Sequence, residues 1–286
     1  MAEISAALVM KLRKTSGQGM MDCKKALTEA DGDIDKAMEI LRKKGLATLA
    51  KRAARETSEG IVVSKIESKT GVLVSLCCET DFVAKSDDFI AAAALLSKYA
   101  MACPADSGAD NILETELDGK KFKDQLTDLV SKTGEKTEVG EYVKYEIKGT
   151  GILAAYVHFN RKVGAMVEVE CGDEKVAVSE GVKKTAEDIA MHITAINPLA
   201  LDKSGISEEV IEQEKAIYAD QVKGKPAEII DKIVGGKLNK FFQEKCLLSQ
   251  PFVKDDSVTV EQAIAEAGKQ AGGTAKITHF ARISVE

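Results

Sequence analysis

Tryptophan is absent from this chain of 286 residues, aromatic residues make up 5% of it, and there are four prolines and three histidines. His158, His192 and His279 lie far apart in the sequence, so triad-like or metal-binding groupings have little to draw on. Six dispersed cysteines (Cys23, Cys77, Cys78, Cys103, Cys171, Cys246) form no Cys-x-x-Cys pair and have no histidine at zinc-ligand spacing. Reduced, mostly buried thiols are expected. The neighbours Cys77 and Cys78 point to opposite faces of a strand, where a vicinal disulfide is strained and core filling fits better. No apolar run reaches the ~18 residues that span a bilayer, and the start Met1-Ala2-Glu3-Ile4 carries neither a secretory nor a transit pattern. A cytoplasmic protein with no membrane contact is expected. A Gly-x-x-x-x-Gly-Lys-Ser/Thr loop is missing, and Gly17-Gln18-Gly19 lacks the third glycine and the preceding strand of a dinucleotide fingerprint. The expectation is no cofactor and no direct nucleotide binding, and with no nucleophile elbow, no enzyme.

Hydrophobic residues amount to 44% and charged residues to 30%, enough core for about two domains by length. Charge is unevenly placed: residues 1–55 carry a net +5 and the remainder −11. Such a basic start suits an RNA-associated protein or an acidic protein partner. Cations there alternate with acids and base-stacking aromatics are lacking, which favours the protein partner over nucleic acid.

The first 55 residues read as three short helices. Ile4, Ala7, Leu8 and Leu12 form one stripe, Met20, Cys23, Ala26, Leu27 and Ala30 a second, and Ile34, Ala37, Met38 and Leu41 a third, with Gly45 as the stop. One of the tandem Met20 and Met21 side chains faces inward and the other stays at the surface. A linker over 46–58 leads to an internal repeat. Gly60-Ile61-Val62-Val63, a turn and Gly71-Val72-Leu73-Val74 recur as Gly151-Ile152-Leu153-Ala154, a turn at Asn160-Arg161-Lys162 and Gly164-Ala165-Met166-Val167. Each copy is a β-hairpin followed by helix, at 87–101 and 119–132 in the first and 175–195 in the second. A closing strand ends each copy, over 139–147 and 276–285. Two α+β subdomains are implied, each an antiparallel sheet with helices on one face. Between about 206 and 248 a helical hairpin is inserted, capped by Ser207, turning at Lys223-Gly224-Lys225-Pro226 and softened by Gly235-Gly236. The expected organisation is 1–55, 56–148, 149–205 with 249–286, and 206–248 inserted.

The strand Val72–Cys78 runs into Glu79-Thr80-Asp81-Phe82-Val83-Ala84-Lys85, and a new helix pattern begins near Asp87. Phe82 therefore falls outside the apolar stripe of either element. Two readings stand open from the residues: Asp81 or Ser86 caps the helix while Phe82 or Val83 folds back as a staple, or the aromatic projects to enter a partner. Cys77-Cys78 as a redox pair is an enzyme alternative that needs an exposed, acidic thiol.

Thr80-Asp81-Phe82-Val83-Ala84-Lys85 resembles the signature of the elongation factor Ts family, nucleotide-exchange factors for the translational GTPase elongation factor Tu. Leu12-Arg13-Lys14-Thr15-Ser16-Gly17-Gln18-Gly19-Met20-Met21-Asp22-Cys23 is similar to that family's opening motif, and Asp188-Ile189-Ala190-Met191-His192-Ile193 and Gln250-Pro251-Phe252-Val253-Lys254 to its later ones. The resemblance implies an N-terminal ubiquitin-associated-like domain, the duplicated core and an inserted coiled coil. It also implies promotion of GDP release from elongation factor Tu by disturbing its magnesium and phosphate site. Phe82 would be the wedge and Asp81 its polar companion, with Thr80, Val83, Ala84 and Lys85 shaping the corner. Arg13, Met20, Met21 and His158 would dock the partner, and a dimer or two-to-two complex is allowed. Two departures stand out. Thr133 in Lys132-Thr133-Gly134-Glu135-Lys136 replaces an apolar residue of the family, and the sequence stops at Glu286 where many relatives continue into a helical module.

Overall fold

The computed structural model describes residues 4–222 and 226–285, and the expected turn at 223–225 lies outside them. Three helices open the chain: α1 (Ala6–Ser16), α2 (Met20–Glu29) and α3 (Ile34–Arg52). Their shared core holds Val9, Leu12, Cys23, Ala26, Leu27, Ala37 and Leu41. Val9 turns inward and Ala7 outward, opposite to the expected stripe, because the buried face of α1 is centred on Val9 and Leu12. Both Met20 and Met21 are exposed, where one was expected inside. Gly45 does not end α3, which continues to Arg52. A Cβ at Gly45 would stand 2.8 Å from Thr127 O and 2.9 Å from Ser131 Cβ, so this glycine permits close packing of two helices.

The repeat then appears twice as hairpin, corner, helices and closing strand. In the first copy, β1 (Glu59–Glu67) and β2 (Thr70–Cys78) lead into a one-turn helix, α4 (Asp81–Ala84), and α5 (Asp87–Ala102). After α6 (Ala109–Glu114), the ribbon of β3 (Glu116–Leu117) and β4 (Lys120–Lys121), and α7 (Phe122–Thr133), strand β5 (Thr137–Glu146) closes the copy. In the second, β6 (Gly151–Val157) and β7 (Val163–Cys171) pair antiparallel and lead into α8 (Glu174–Ala177) and α9 (Glu180–Ile196). The single helix expected over 175–195 is thus broken: the Asp173 side chain caps α8 through Val176 N–H at 3.0 Å, and α9 starts afresh after Ser179.

The hairpin follows as α10 (Glu208–Asp220) and α11 (Ala227–Lys245), with Ser207 capping α10 as expected. Pro226 sits one residue before α11, and Gly235 and Gly236 lie inside an unbroken helix. The ribbon of β8 (Pro251–Phe252) and β9 (Asp255–Thr259), then α12 (Val260–Gln270) and β10 (Ala275–Ser284), complete the chain.

The fold is α+β. The two larger sheets have equivalent orders, β1-β2-β5 and β6-β7-β10, so each closing strand pairs with the second strand of its hairpin. The chain forms two compact units, Met1–Val63, Val72–Lys144 and Ile283–Glu286 in one and Ser64–Gly71 with Tyr145–Arg282 in the other. In the first unit the core gathers Val72, Val74, Leu76 and Cys78 against Phe89, Leu96, Tyr99, Phe122 and Leu126. Side chains of β5 also finish α5. The Tyr142 hydroxyl lies 2.9 Å from Ala100 O and 2.8 Å from Ala105 O, and Lys144 Nζ donates to Met101 O at 3.0 Å and Cys103 O at 2.7 Å. These groups answer carbonyls that a helix end leaves without partners. In the second unit Val167, Val169, Ile189, Ile193, Leu247 and Ile264 pack together.

Candidate functional site

Glu79 follows the buried run of β2, and Thr80, extended at φ −130° and ψ 154°, turns the chain into α4. Four residues cannot hold a helix by propensity, because nucleation fixes several dihedrals for a single hydrogen bond. External partners hold this one. Glu135 accepts from Thr80 N–H at 3.0 Å and from the Thr80 hydroxyl at 2.8 Å, and that hydroxyl in turn accepts from Val83 N–H at 3.4 Å. The Glu79 side chain is 9% exposed and accepts from Arg52 at 2.7 Å, Arg55 at 3.4 Å and the Lys136 amide at 2.6 Å. Burial opposes its charge, but the Lys136 amide and then Arg52 and Arg55 outweigh it and hold the carboxyl below its ordinary value.

The turn sorts its side chains. Ala84 enters the core, Val83 is half-buried against it, and Phe82 is 83% exposed. Ser86, the expected cap, accepts from Phe89 N–H at 3.4 Å. Thr80 rather than Asp81 caps the first turn, and of the two staple candidates Val83 packs against the core while Phe82 stays exposed. Asp81 receives Lys85 Nζ at 2.6 Å, and this bond and charge push the Lys85 ammonium upward. The exposed ring thus stands beside a mixed pair of charges.

In the same unit, Arg13 is exposed on α1, and Met20 and Met21 are 43% and 63% exposed on the first turn of α2. In the other unit, His158 is half-buried in the turn after β6, with Nδ1 3.2 Å from the Tyr156 hydroxyl and its ring 4.4 Å from that of Phe159. Phe159 is 87% exposed and was not singled out from the sequence. The later motifs meet through hydrogen bonds: His192 Nε2 donates to Gln250 Oε1 at 2.8 Å and Nδ1 accepts Val253 N–H at 3.3 Å. Lys254 reaches Asp188 at 3.4 Å. These contacts tie α9 to the segment after α11.

Sequence reasoning missed Glu79, Glu135, Arg52 and Arg55, whose partners lie 24 to 57 residues away. It also missed that the repeat includes the corner: Phe82-Val83-Ala84-Lys85-Ser86 has its counterpart in Lys175-Val176-Ala177-Val178-Ser179, a signal visible in the letters. Thr133 turns its hydroxyl back to Leu129 O at 3.0 Å.

All six cysteines are reduced thiols. Burial first, and then the charge of Glu135, pushes the Cys78 thiol up to about 12, which removes it as a nucleophile at neutral pH. A cleft of about 450 Å³ lies elsewhere in the first unit, where Arg42, Lys120 and Lys132 face Asp88 and Asp128. Among the described residues no group of three or more His, Cys, Asp or Glu is placed to hold a metal ion, and no helix is long and apolar enough to cross a membrane.

The corner thus presents one exposed aromatic ring, Phe82, on a mixed helix and sheet core. The family profile Elongation factor TS matches residues 79–286. Elongation factor Ts of a Nitratiruptor species is 44% identical over 283 residues, covering 98% of this chain and 92% of that protein. The proteins of the same name from Clostridium botulinum (strain Alaska E43 / Type E3) and Chlorobium phaeobacteroides are each 42% identical, covering 98% and 99% of this chain and 92% and 98% of their own lengths. The chain belongs to the elongation factor Ts family. It is accordingly an elongation factor of protein biosynthesis, a nucleotide-exchange factor and not an enzyme in the usual sense, and the family implies elongation factor Tu as its partner.

Proposed function

We propose that this protein binds elongation factor Tu with GDP bound and promotes GDP release by inserting Phe82 beside the partner's magnesium and phosphate site. Nanomolar GDP binding corresponds to about 12 kcal/mol, which only a ligand favouring the nucleotide-free state can offset. Linkage makes the effect reciprocal, so the factor weakens GDP as much as GDP weakens the factor. Much of that affinity passes through magnesium and the phosphate loop, so displacing the elements that organise the metal is an economical route.

Phe82, 83% exposed at a braced corner, is the observation that carries this reading. Asp81 accompanies the ring, and Thr80, Val83, Ala84 and Lys85 set the shape around it. Residues 1–55 act as a ubiquitin-associated-like docking domain with Arg13, Met20 and Met21 on its contact face. Residues 56–148 present the wedge, and residues 149–205 with 249–286 present His158 to another part of the partner. Residues 206–248 are an inserted coiled-coil hairpin.

Release of fluorescent GDP from elongation factor Tu, with and without this protein, tests the reading. Phe82→Ala is expected to slow stimulated release severalfold or more with little change in thermal midpoint, since an exposed ring contributes little to the core. A stability loss of about 3 kcal/mol, the size of a buried phenylalanine truncation, with undiminished exchange per folded molecule would assign Phe82 to the fold instead.

A further inference from the structure

We infer that Glu135 and Glu79 are positioning residues for exchange, bracing the corner so that Phe82 meets the partner already in its inserting conformation. This inference rests on the wedge reading of Phe82. An aromatic on a one-turn helix has little to fix its direction, and ordering it on contact would subtract from the binding energy available to displace nucleotide. Glu135 removes that cost through a relay. Its carboxylate takes both the amide and the hydroxyl proton of Thr80, so the hydroxyl oxygen must turn its lone pairs toward Val83 N–H, the amide next to Phe82. Glu79 supplies the second brace, one residue before the turn. It joins the end of β2 to Arg52 in the last turn of α3 and to the amide of Lys136, which directly follows Glu135.

The second corner supports this inference. It repeats the one-turn helix, the Val-Ala pair and the serine before the long helix, but carries Lys175 where the first carries Phe82. There the cap is local, made by the Asp173 carboxylate on Val176 N–H at 3.0 Å, with Gly172 N–H bonded to Thr274 O at 2.8 Å. A short helix at this place can therefore be closed by one side chain of its own. In the corner that presents the aromatic, the capping hydroxyl is instead held by Glu135 at 2.8 Å, and the preceding residue is clamped by two arginines. Both carboxylates act through Thr80 and the end of β2.

A double-mutant cycle on GDP release from elongation factor Tu tests the inference. Phe82→Ala is measured first, because undiminished release there overturns the wedge reading and this inference with it. Given a slowed Phe82→Ala, Glu135→Gln in the otherwise native protein is expected to lower the maximal release rate about tenfold, the effect of losing one charge-assisted hydrogen bond's worth of ordering. The half-saturating concentration of the factor should change less than about twofold. In the Phe82→Ala background the same substitution should have no further effect, because a brace with no ring to aim has nothing to lose. Equal losses in both backgrounds, or an unchanged maximal rate with only a lowered melting temperature, would reduce Glu135 to a structural role. Glu79→Gln is run in parallel at a temperature where circular dichroism shows it folded, with the same two outcomes. If it does not fold, Arg52→Gln replaces it and probes the same clamp from the other side.

Discussion

Gly45 and Gly235 are both glycines inside helices, and their surroundings give them opposite responses to an added methyl group. At Gly45 a Cβ would collide with Thr127 O at 2.8 Å and Ser131 Cβ at 2.9 Å, forcing apart α3 and α7. Gly45→Ala should therefore cost about 1–3 kcal/mol, the usual size of overpacking, and calorimetry should show a lower midpoint despite alanine's better helix propensity. Gly235 and Gly236 have no atom within 4 Å of the equivalent Cβ, so alanine at each should stabilise by about 1 kcal/mol. A raised midpoint for Gly45→Ala would mean that the two helices separate at little cost. The sequence pointed to Gly45 as a helix stop and to Gly235-Gly236 as a soft point within a helix, and a glycine that stops a helix is the same letter as one that lets another helix approach. That Phe82 lies off both apolar stripes was legible, whereas its choice between folding back and projecting was not. Its braces were not legible, since they pair residues whose proximity exists only after folding.

At the scale of elements, α9 is tied to the segment following α11 through one imidazole. His192 is buried, gives Nε2–H to Gln250 and receives Val253 N–H at Nδ1, so it sits in its neutral form against Phe252, with the Asp188–Lys254 pair closing the same junction. Burial lowers its pKa below 6.5, partly countered by the Gln250 bond. The unfolded chain then takes up a proton near its ordinary value while the folded chain resists. Stability from this group is fully present above about pH 6.5 and is lost as pH falls toward the folded value. Thermal midpoints should drop between about pH 7.5 and about pH 5.5, and His192→Gln should flatten that part of the profile. Parallel profiles would assign the titration elsewhere. The two motifs that meet here were visible separately, 58 residues apart, but their junction was not. The break before α9 escaped for a related reason: Ser179, extended at φ −61° and ψ 126°, interrupts the helix with no side-chain cap bond, while the surrounding apolar spacing reads straight through.

For the molecule as a whole, the α10–α11 hairpin poses the question of which parts the second unit needs. Phe241 and Cys246 are buried with Ala200 and Ile206, so the base of α11 belongs to the core, whereas Ile217 and Ile229 are 50% and 47% exposed farther along. Replacing residues 215–238 with a short Gly-Ser linker should leave a cooperatively folding protein that still stimulates GDP release. Replacing 208–246 removes Phe241 and Cys246 and should lower stability by several kcal/mol. Equal stability of the two versions, measured by urea denaturation, would contradict this division. The doubled hairpin-and-helix plan was legible in the repeated glycine and β-branched pattern, while the boundary within the insertion depended on burial. The closure of α5 bears on the order in which the molecule forms. Its last carbonyls are answered by Tyr142 and Lys144, about forty residues later, so a chain leaving the ribosome makes this helix well before its partners emerge. Until β5 arrives, water must serve those carbonyls, and Thr80 must wait for Glu135. The corner that carries Phe82 thus becomes rigid only after Glu135, 55 residues later, has been synthesised.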